Sequence, residues 1–437
     1  MKKFFAAVSV GLLLGAAAPL WAGGDDDEVF KDTLRAMQER IKQLEDEVQR
    51  LKSAPPPPAP TPVATAPEGL EGRLKKLEDG IGLLNGIQFG GMVYGSYDYN
   101  FNNPDSKNNS LRIFDTRANN FTLDLAQIAL SKEEEQGGVG FKVVLDYGHT
   151  AGLIQSDWSG DGSLSNGTNN FALQEAYMTY TAGIGKGLGI KAGKFVTLLG
   201  AEVIESPFNY NISRSFLFGY AIPFTHTGVL FSYPFMEQVS LSAGIVNGWD
   251  NVIDSNKGKS FLGNLTLKPL DILTLSLNGV YGAELPDRGG SKRGVFDFVG
   301  TLNITDYTTF VTNFDYGTES DTGINGNDAD WYGVAGYLNI DGAQFHPDWE
   351  AFSIAQRLEW FDDEDGTRTG TKQDLWEVTT TLKYKITDNL HFRAEYRHDD
   401  SDKRVFSQKQ FSVGDDTITR FVSGQDTVTA ELSYLFY

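Results

Sequence analysis

The residues that could do chemistry lie in the last third of the chain, and they are spaced by two. His391, Arg393, Glu395 and Arg397 share one phase of 389–399, and Phe392, Ala394 and Tyr396 share the other. Arg357 and Glu359 alternate with Phe352, Ile354, Leu358 and Trp360, and Glu377, Lys383 and Lys385 keep one phase of 372–385. Period two puts each set on one face of an extended strand. Rows of fixed charge on strand faces suit the orientation and sorting of solutes in a lumen. A second group lies in 196–224, with Glu202, Glu205 and Arg214 among Phe208, Tyr210, Phe216, Phe218 and Tyr220. A loop projecting into solvent has little use for so many aromatics. This stretch is expected to fold inward and narrow a pore, with Glu202, Glu205 and Arg214 as its lining charges. Arg357, Lys383, Arg393 and Arg397, interspersed with Glu359 and Glu395, would form a facing ladder. Two blander readings stand beside this one: lumen positions are simply polar, and an aromatic loop can pack in a subunit interface.

Catalytic patterns are weak. The chain holds no G-x-S-x-G and so no nucleophile elbow. His398, Asp399 and Asp400 end one predicted strand and Asp362 and Asp363 another, a loose arrangement more typical of a solvated rim. No catalytic residue, cofactor or dedicated metal site is assigned. Acidic outer loops could hold divalent cations nonspecifically, since Asp157, Asp161 and Gly162 and the run Asp362 to Gly366 do not match a calcium-loop register.

The elements that must position these residues are strands. The final stretch DTVTAELSYLFY sets Val428, Ala430, Leu432, Tyr434 and Phe436 against Thr427, Thr429, Glu431 and Ser433. Similar segments are expected near 87–100, 119–133, 137–149, 170–183, 186–195, 225–235, 237–247, 258–268, 271–282, 294–304, 307–317, 328–341, 348–361, 372–385, 389–399 and 426–437. The phase slips within 121–130, which a bulge would explain. Every second connection is short, as at Thr305-Asp306, while those between are long and polar, as at 150–169, 196–224 and 400–425. The expected fold is therefore all-β and transmembrane: an antiparallel outer-membrane barrel of about sixteen strands over 86–437. A barrel of that size leaves an aqueous channel unless something fills it.

Ahead of the barrel the chain changes character. Residues 1–22 read as a signal peptide, with Lys2 and Lys3 before an apolar run from Phe4 to Ala18 and a cleavage position at Ala22. Segment 23–53 carries a heptad seam, with Leu34, Ile41 and Val48 alternating with Met37, Leu44 and Leu51. A Pro/Ala-rich linker covers 54–68, and a short helical segment with Leu70, Leu74, Leu77, Ile81 and Leu84 covers 69–85. The heptad segment points to a periplasmic coiled coil that could touch the cell wall. Formal charge is −21, which makes nucleic acid an unsuitable partner. The absence of cysteine removes disulfides and thiolate metal sites.

The stretch GKFVTLLGAEVIESPFNYNISRS, followed by PFTHTGVLFSYP and GIVNGWD, resembles Gram-negative outer-membrane porins of the OmpL-like putative beta-barrel porin group, over roughly 87–437. The resemblance implies a passive diffusion channel, homotrimer formation as in porins generally, and contacts with outer-membrane lipid and lipopolysaccharide. It also implies that inward-loop carboxylates face basic strand residues, matched here to Glu202 and Glu205 against Arg393 and Arg397. One departure is the C-terminus, where Tyr437 replaces the usual Phe and the clear apolar phase ends at Phe436. Alternative functions are a channel selective for sugars or oxyanions, and an envelope tether acting through the coiled coil.

Overall fold

The computed structural model describes residues 86–133, 137–156, 170–323, 326–413 and 416–436, together with Lys42; for 411–413 and 416–418 it describes backbone only. The expected signal peptide, coiled coil, linker and short helical segment lie outside the described residues. From Gly86 onward, alternating β-branched and aromatic residues build strands. These are β1 (Gln88–Asn100), β2 (Asn120–Lys132), β3 (Val139–Tyr147), β4 (Phe171–Ala182), β5 (Leu188–Val196) and β6 (Thr225–Met236). They continue with β7 (Val239–Val246), β8 (Ser260–Leu270), β9 (Leu273–Gly282), β10 (Arg293–Thr305), β11 (Thr308–Glu319) and β12 (Ala329–Asp341). The last are β13 (Phe352–Asp363), β14 (Gln373–Lys385), β15 (Leu390–Ser401), β16 (Phe406–Val413), β17 (Asp416–Val422) and β18 (Gly424–Phe436). A short helix, α1 (His149–Leu153), follows β3.

Sixteen of these strands close into one antiparallel barrel, and β16 and β17 form a separate two-stranded ribbon within the last long connection. Closure is made by β18, which pairs with β1 through Val93↔Tyr434 and Gly95↔Leu432 and with β15 through Arg393↔Glu431. A closed barrel has no free edge. The expected phase slip in β2 is a bulge: Tyr94 pairs with Leu125 and Gly95 with Leu123, leaving Asp124 unpaired. One expected strand start is corrected. Residues 348–351 are not strand, because 3-10 turns at Gly342–Gln344 and Pro347–Trp349 occupy the β12–β13 connection. Pro347 suits the first position of such a turn, and the Asp348 amide donates to His346 Nδ1 at 3.3 Å.

Polarity is inverted relative to a protein that folds in water. Along β18, Thr427, Thr429, Glu431 and Ser433 are buried while Val428, Leu432 and Tyr434 are exposed. Along β15, Arg393, Glu395 and Arg397 are buried while Phe392 and Tyr396 face out. An apolar outer wall around a polar interior is the arrangement of a barrel solvated by lipid. The interior is not uniformly polar, however. Leu230, Val246, Leu262, Val280, Val295, Val311, Trp331 and Phe361 form an apolar patch inside it, continuous with residues of the 197–224 connection.

Candidate functional site

The connection 197–224, between β5 and β6, enters the barrel. It turns at Gly200, whose φ of 87 suits glycine and where a Cβ would sit 2.5 Å from Ile222 Cδ1. Its backbone has few neighbours of its own kind, so the buried N–H and C=O groups must be satisfied by the wall. The charged rows on β13, β14, β15 and β18 do this. Carboxylates take the N–H groups: Glu359 accepts from Phe216 and Leu217 at 2.7 and 2.6 Å, and Glu395 accepts from Ser213 at 2.9 Å. Guanidiniums take the C=O groups: Arg357 donates to Ser213 at 2.6 Å, Arg393 to Asn209 at 3.0 Å and Arg397 to Arg214 at 2.6 Å. Asn211 adds a side-chain bond to Thr381 at 2.7 Å.

The rows also balance one another. Strand register sets Glu359 opposite Glu377 and Glu377 opposite Asp399, a line of carboxylates that would repel. Arg357 and Arg397 flank that line. Arg357 donates to Glu377 at 2.6 Å and to Glu202 at 2.7 Å, and Arg397 donates to Asp399 at 2.6 Å. Glu202 accepts in addition from the Ser215 amide and hydroxyl at 2.7 and 2.8 Å, so one carboxylate joins both arms of the loop to the wall. Arg393 pairs with Glu431 at 2.7 Å, and both bond the Ser206 hydroxyl. These groups are nearly wholly buried. Such pairs add little net stability after desolvation, but losing one partner strands a buried charge.

Arg214 and Glu205 behave differently. Arg214 braces the loop from within, donating to the Ile204 carbonyl and to that of Ile212 at 2.6 Å, with its guanidinium 4.6 Å from the Phe114 ring. Glu205 turns to the opposite wall, where its Oε1 accepts from Gln127 on β2 at 2.9 Å and Gln174 on β4 at 2.7 Å. The matching of Glu202 and Glu205 to Arg393 and Arg397 is therefore corrected. Glu202 meets Arg357, Glu205 meets two amides, and Arg393 and Arg397 pair with Glu431 and Asp399. Physically, the two arginines are consumed by wall carboxylates, Glu431 on the neighbouring β18 and Asp399 on β15 itself, and by loop carbonyls. Lys383 lies below them, half-buried, in register with Arg393.

Residues of other loops pack beside this arrangement. Phe114 packs on Phe218 and Phe224 with centroids 5.8 and 5.4 Å apart, Trp331 donates to the Ala221 carbonyl at 3.2 Å, and Arg112 pairs with Asp399 at 2.6 Å. Arg368 donates to the Tyr220 carbonyl at 2.7 Å; burial, then the neighbouring Arg293, bring its pKa down to about 10. Asp250 accepts the Phe224 and Thr225 amides at 2.9 and 2.8 Å, and burial raises its pKa despite those bonds. The rim residues His398 and Asp399 point to opposite sides of β15: Asp399 is buried in the lumen, and His398 faces Trp376 and bonds Asp426 at 2.8 Å.

Beneath the loop, a cavity of 960 Å³ opens against β1 to β4, with Gln88, Gln127, Lys142, Gln174 and Glu175 in its wall. Lys142 and Glu175 are paired at 2.6 Å. A second cavity of 260 Å³ lies on the β10 to β12 side. Sequence reasoning missed Gln127, Gln174 and Lys142, although each occupies the polar phase of its strand. It also missed Ser206 and the arm carrying Arg112 and Phe114, for which no local pattern gives a signal.

Residues 86–436 match the family model described as putative beta-barrel porin-2, OmpL-like. Comparison with curated proteins gives no match. Among solved structures, the chain is similar in fold to the anion-selective porin from Comamonas acidovorans, at 10% identity and TM-score 0.53, over 80% of this chain and 99% of that one. It is similar to the in-vitro folded, trimeric OmpT of Vibrio cholerae, at 11% identity and TM-score 0.52, over 80% and 98%. It is similar also to the outer-membrane channel DcaP of Acinetobacter baumannii, at 11% identity and TM-score 0.51, over 80% and 97%.

Proposed function

The chain belongs to the putative beta-barrel porin-2, OmpL-like family of Gram-negative outer-membrane porins, and from that premise we propose how its channel is built. The 197–224 loop, held by the charge ladder, is the constriction, and small polar solutes diffuse passively through the space it leaves. The observation that carries this reading is the engagement of the loop's buried backbone by wall side chains at many points, from Arg357 to Ser213 and from Glu359 to Phe216 and Leu217. A loop tethered at that many points is a fixed wall of the passage, not a mobile flap. Because Glu202, Arg357, Arg393 and Arg397 are buried in ion pairs and Glu395 is buried against the Ser213 amide and the Thr381 hydroxyl, they shape the constriction without presenting free charge to it. Ion preference then falls to the water-facing groups, Glu205, Lys142 and Lys383. This reading assigns no catalysis and needs no cofactor.

The trimeric form of one structural neighbour supports a homotrimer, and the apolar outer wall supports direct contact with membrane lipid, with lipopolysaccharide at the outer leaflet. Segment 23–53 would reach into the periplasm toward the cell wall; deleting 28–67 should leave conductance intact and weaken envelope attachment. The test of the main reading is single-channel conductance of the refolded protein in planar bilayers, with reversal potentials in a KCl gradient. Stable steps with a modest reversal potential are expected. Silence from demonstrably folded protein would refute the channel.

A further inference from the structure

The two cavities beneath the loop share one aromatic side chain. Phe208 lines both the 960 Å³ and the 260 Å³ space and is 53% exposed although it sits inside the barrel. Val203 is also exposed beside it, and Tyr210 is exposed on the side of the smaller cavity. The same loop buries Phe216, Leu217 and Phe218 against the apolar patch, so its aromatics are sorted into a packed set and a displayed set. Leaving apolar surface in water forgoes the free energy of burying it, and a displayed ring held in a lumen points to a use.

The ring is rigidly mounted. Phe208 ends a 3-10 turn, Ser206–Phe208, with Pro207 inside it, and its amide donates to the Glu205 carbonyl at 3.2 Å. Ser206 is fixed by the buried Arg393–Glu431 pair, donating to Glu431 at 2.6 Å. The larger cavity's other wall is polar and mixed in character. Gln127 and Gln174 converge on Glu205, and Lys142 pairs with Glu175 while keeping 37% of its side chain exposed. Gln174 is 1% exposed, yet its Oε1 has no hydrogen-bond partner among the described residues. Such an acceptor is costly unless something donates to it.

We propose that Phe208 and the wall formed by Gln127, Gln174, Glu205, Lys142 and Glu175 are a binding station for neutral polyhydroxylated solutes, of which a pyranose sugar is the type. The flat C–H face of the ring would lie on Phe208, and its hydroxyls would bond the amides, carboxylates and ammonium. Each hydroxyl both donates and accepts, which matches a wall holding both kinds of partner. An anion would meet the carboxylates of Glu175 and Glu205, and a compact cation would meet Lys142. The cavity's size is in the range of small-molecule sites, roughly 300–1,000 Å³. The proposal rests on the channel reading, because the station lies on the passage that reading requires.

The test is current block by maltose in planar bilayers over a concentration series, with the full chain. Wild-type channels should show saturable block, and Phe208→Ala should raise the half-blocking concentration by about tenfold, the scale of one aromatic contact. Gln174→Leu should raise it several-fold. Phe345→Ala, in the β12–β13 turn outside the station, should not change it. A conducting channel without saturable block would overturn the proposal, as would equal block in Phe208→Ala, or block by alkylammonium ions but not by maltose. Silent bilayers would instead refute the channel reading. In that case saturation-transfer NMR of maltose on detergent-folded protein would read the station directly. Ring-proton saturation abolished by Phe208→Ala supports it, and no saturation overturns it.

Discussion

Removing the Arg357 side chain should free the constriction loop. Its guanidinium is fully buried and donates to Glu377, Glu202 and the Ser213 carbonyl, at 2.6, 2.7 and 2.6 Å. In Arg357→Ala, Glu202 and Glu377 become buried carboxylates without their partner, and the Ser213 carbonyl loses its donor. Breaking a buried pair from one side costs about 3–5 kcal/mol, a factor of roughly 10² to 10⁴ in an equilibrium constant. The cost falls on loop docking, because the released loop lets both carboxylates reach water while the barrel's strand pairing is untouched. Hydrogen exchange at the Ile212, Ser213 and Ser215 amides reads the opening, and single-channel current reads its consequence. Protection at those amides should fall by that factor, and conductance should rise with larger current noise. Arg357→Lys should recover little, since one ammonium cannot serve three acceptors in a fork. Unchanged exchange together with unchanged conductance in Arg357→Ala would refute the anchoring argument.

Other consequences follow from the same geometry. Glu205→Gln removes a carboxylate that faces the larger cavity, so the reversal potential should move toward anions, while Glu202→Gln should mainly lower loop protection. Leu358 faces outward near the middle of β13 and is 55% exposed; Leu358→Arg should cost about 2–4 kcal/mol in bilayer-refolding titrations if that face meets lipid. His149 Nε2 bonds the Thr116 hydroxyl at 2.7 Å, and burial, then Arg117, hold its pKa below the usual value. A depressed pKa makes its contribution whole above the ordinary histidine value, about 6.5, and loses it as pH falls through the lower folded value. Acidification should therefore loosen exchange protection in 113–117, and His149→Gln should remove that pH step.

The strands were legible because lipid and lumen impose opposite demands on successive residues, so the pattern is written locally. Even the slip around Asp124 carried its own explanation, a bulge. The inward course of 197–224 was legible from its aromatics. Their division was not: Phe216 and Phe218 join one buried cluster with Val295, Val311 and Trp331, which occupy the lumen phase of their strands and look like exceptions in a single strand. Pairing was hidden for a related reason. Which arginine meets Glu202 depends on how far the loop descends past β13, β14 and β15, and no spacing within either segment encodes that distance. The 348–351 error arose where residues compatible with a strand were overruled by a turn built on Pro347.

The central claim is that the loop docked against the ladder is the conducting state. Asn211 on the loop and Thr381 on β14 meet at 2.7 Å, and the chain contains no cysteine of its own. Asn211→Cys with Thr381→Cys therefore gives a unique pair for a disulfide or a short thiol crosslinker. Single-channel conductance is then compared before and after crosslinking. The account predicts that the pair joins readily in the folded barrel and that conductance stays at its uncrosslinked value. Failure to join, or a collapse of conductance on joining, would contradict it.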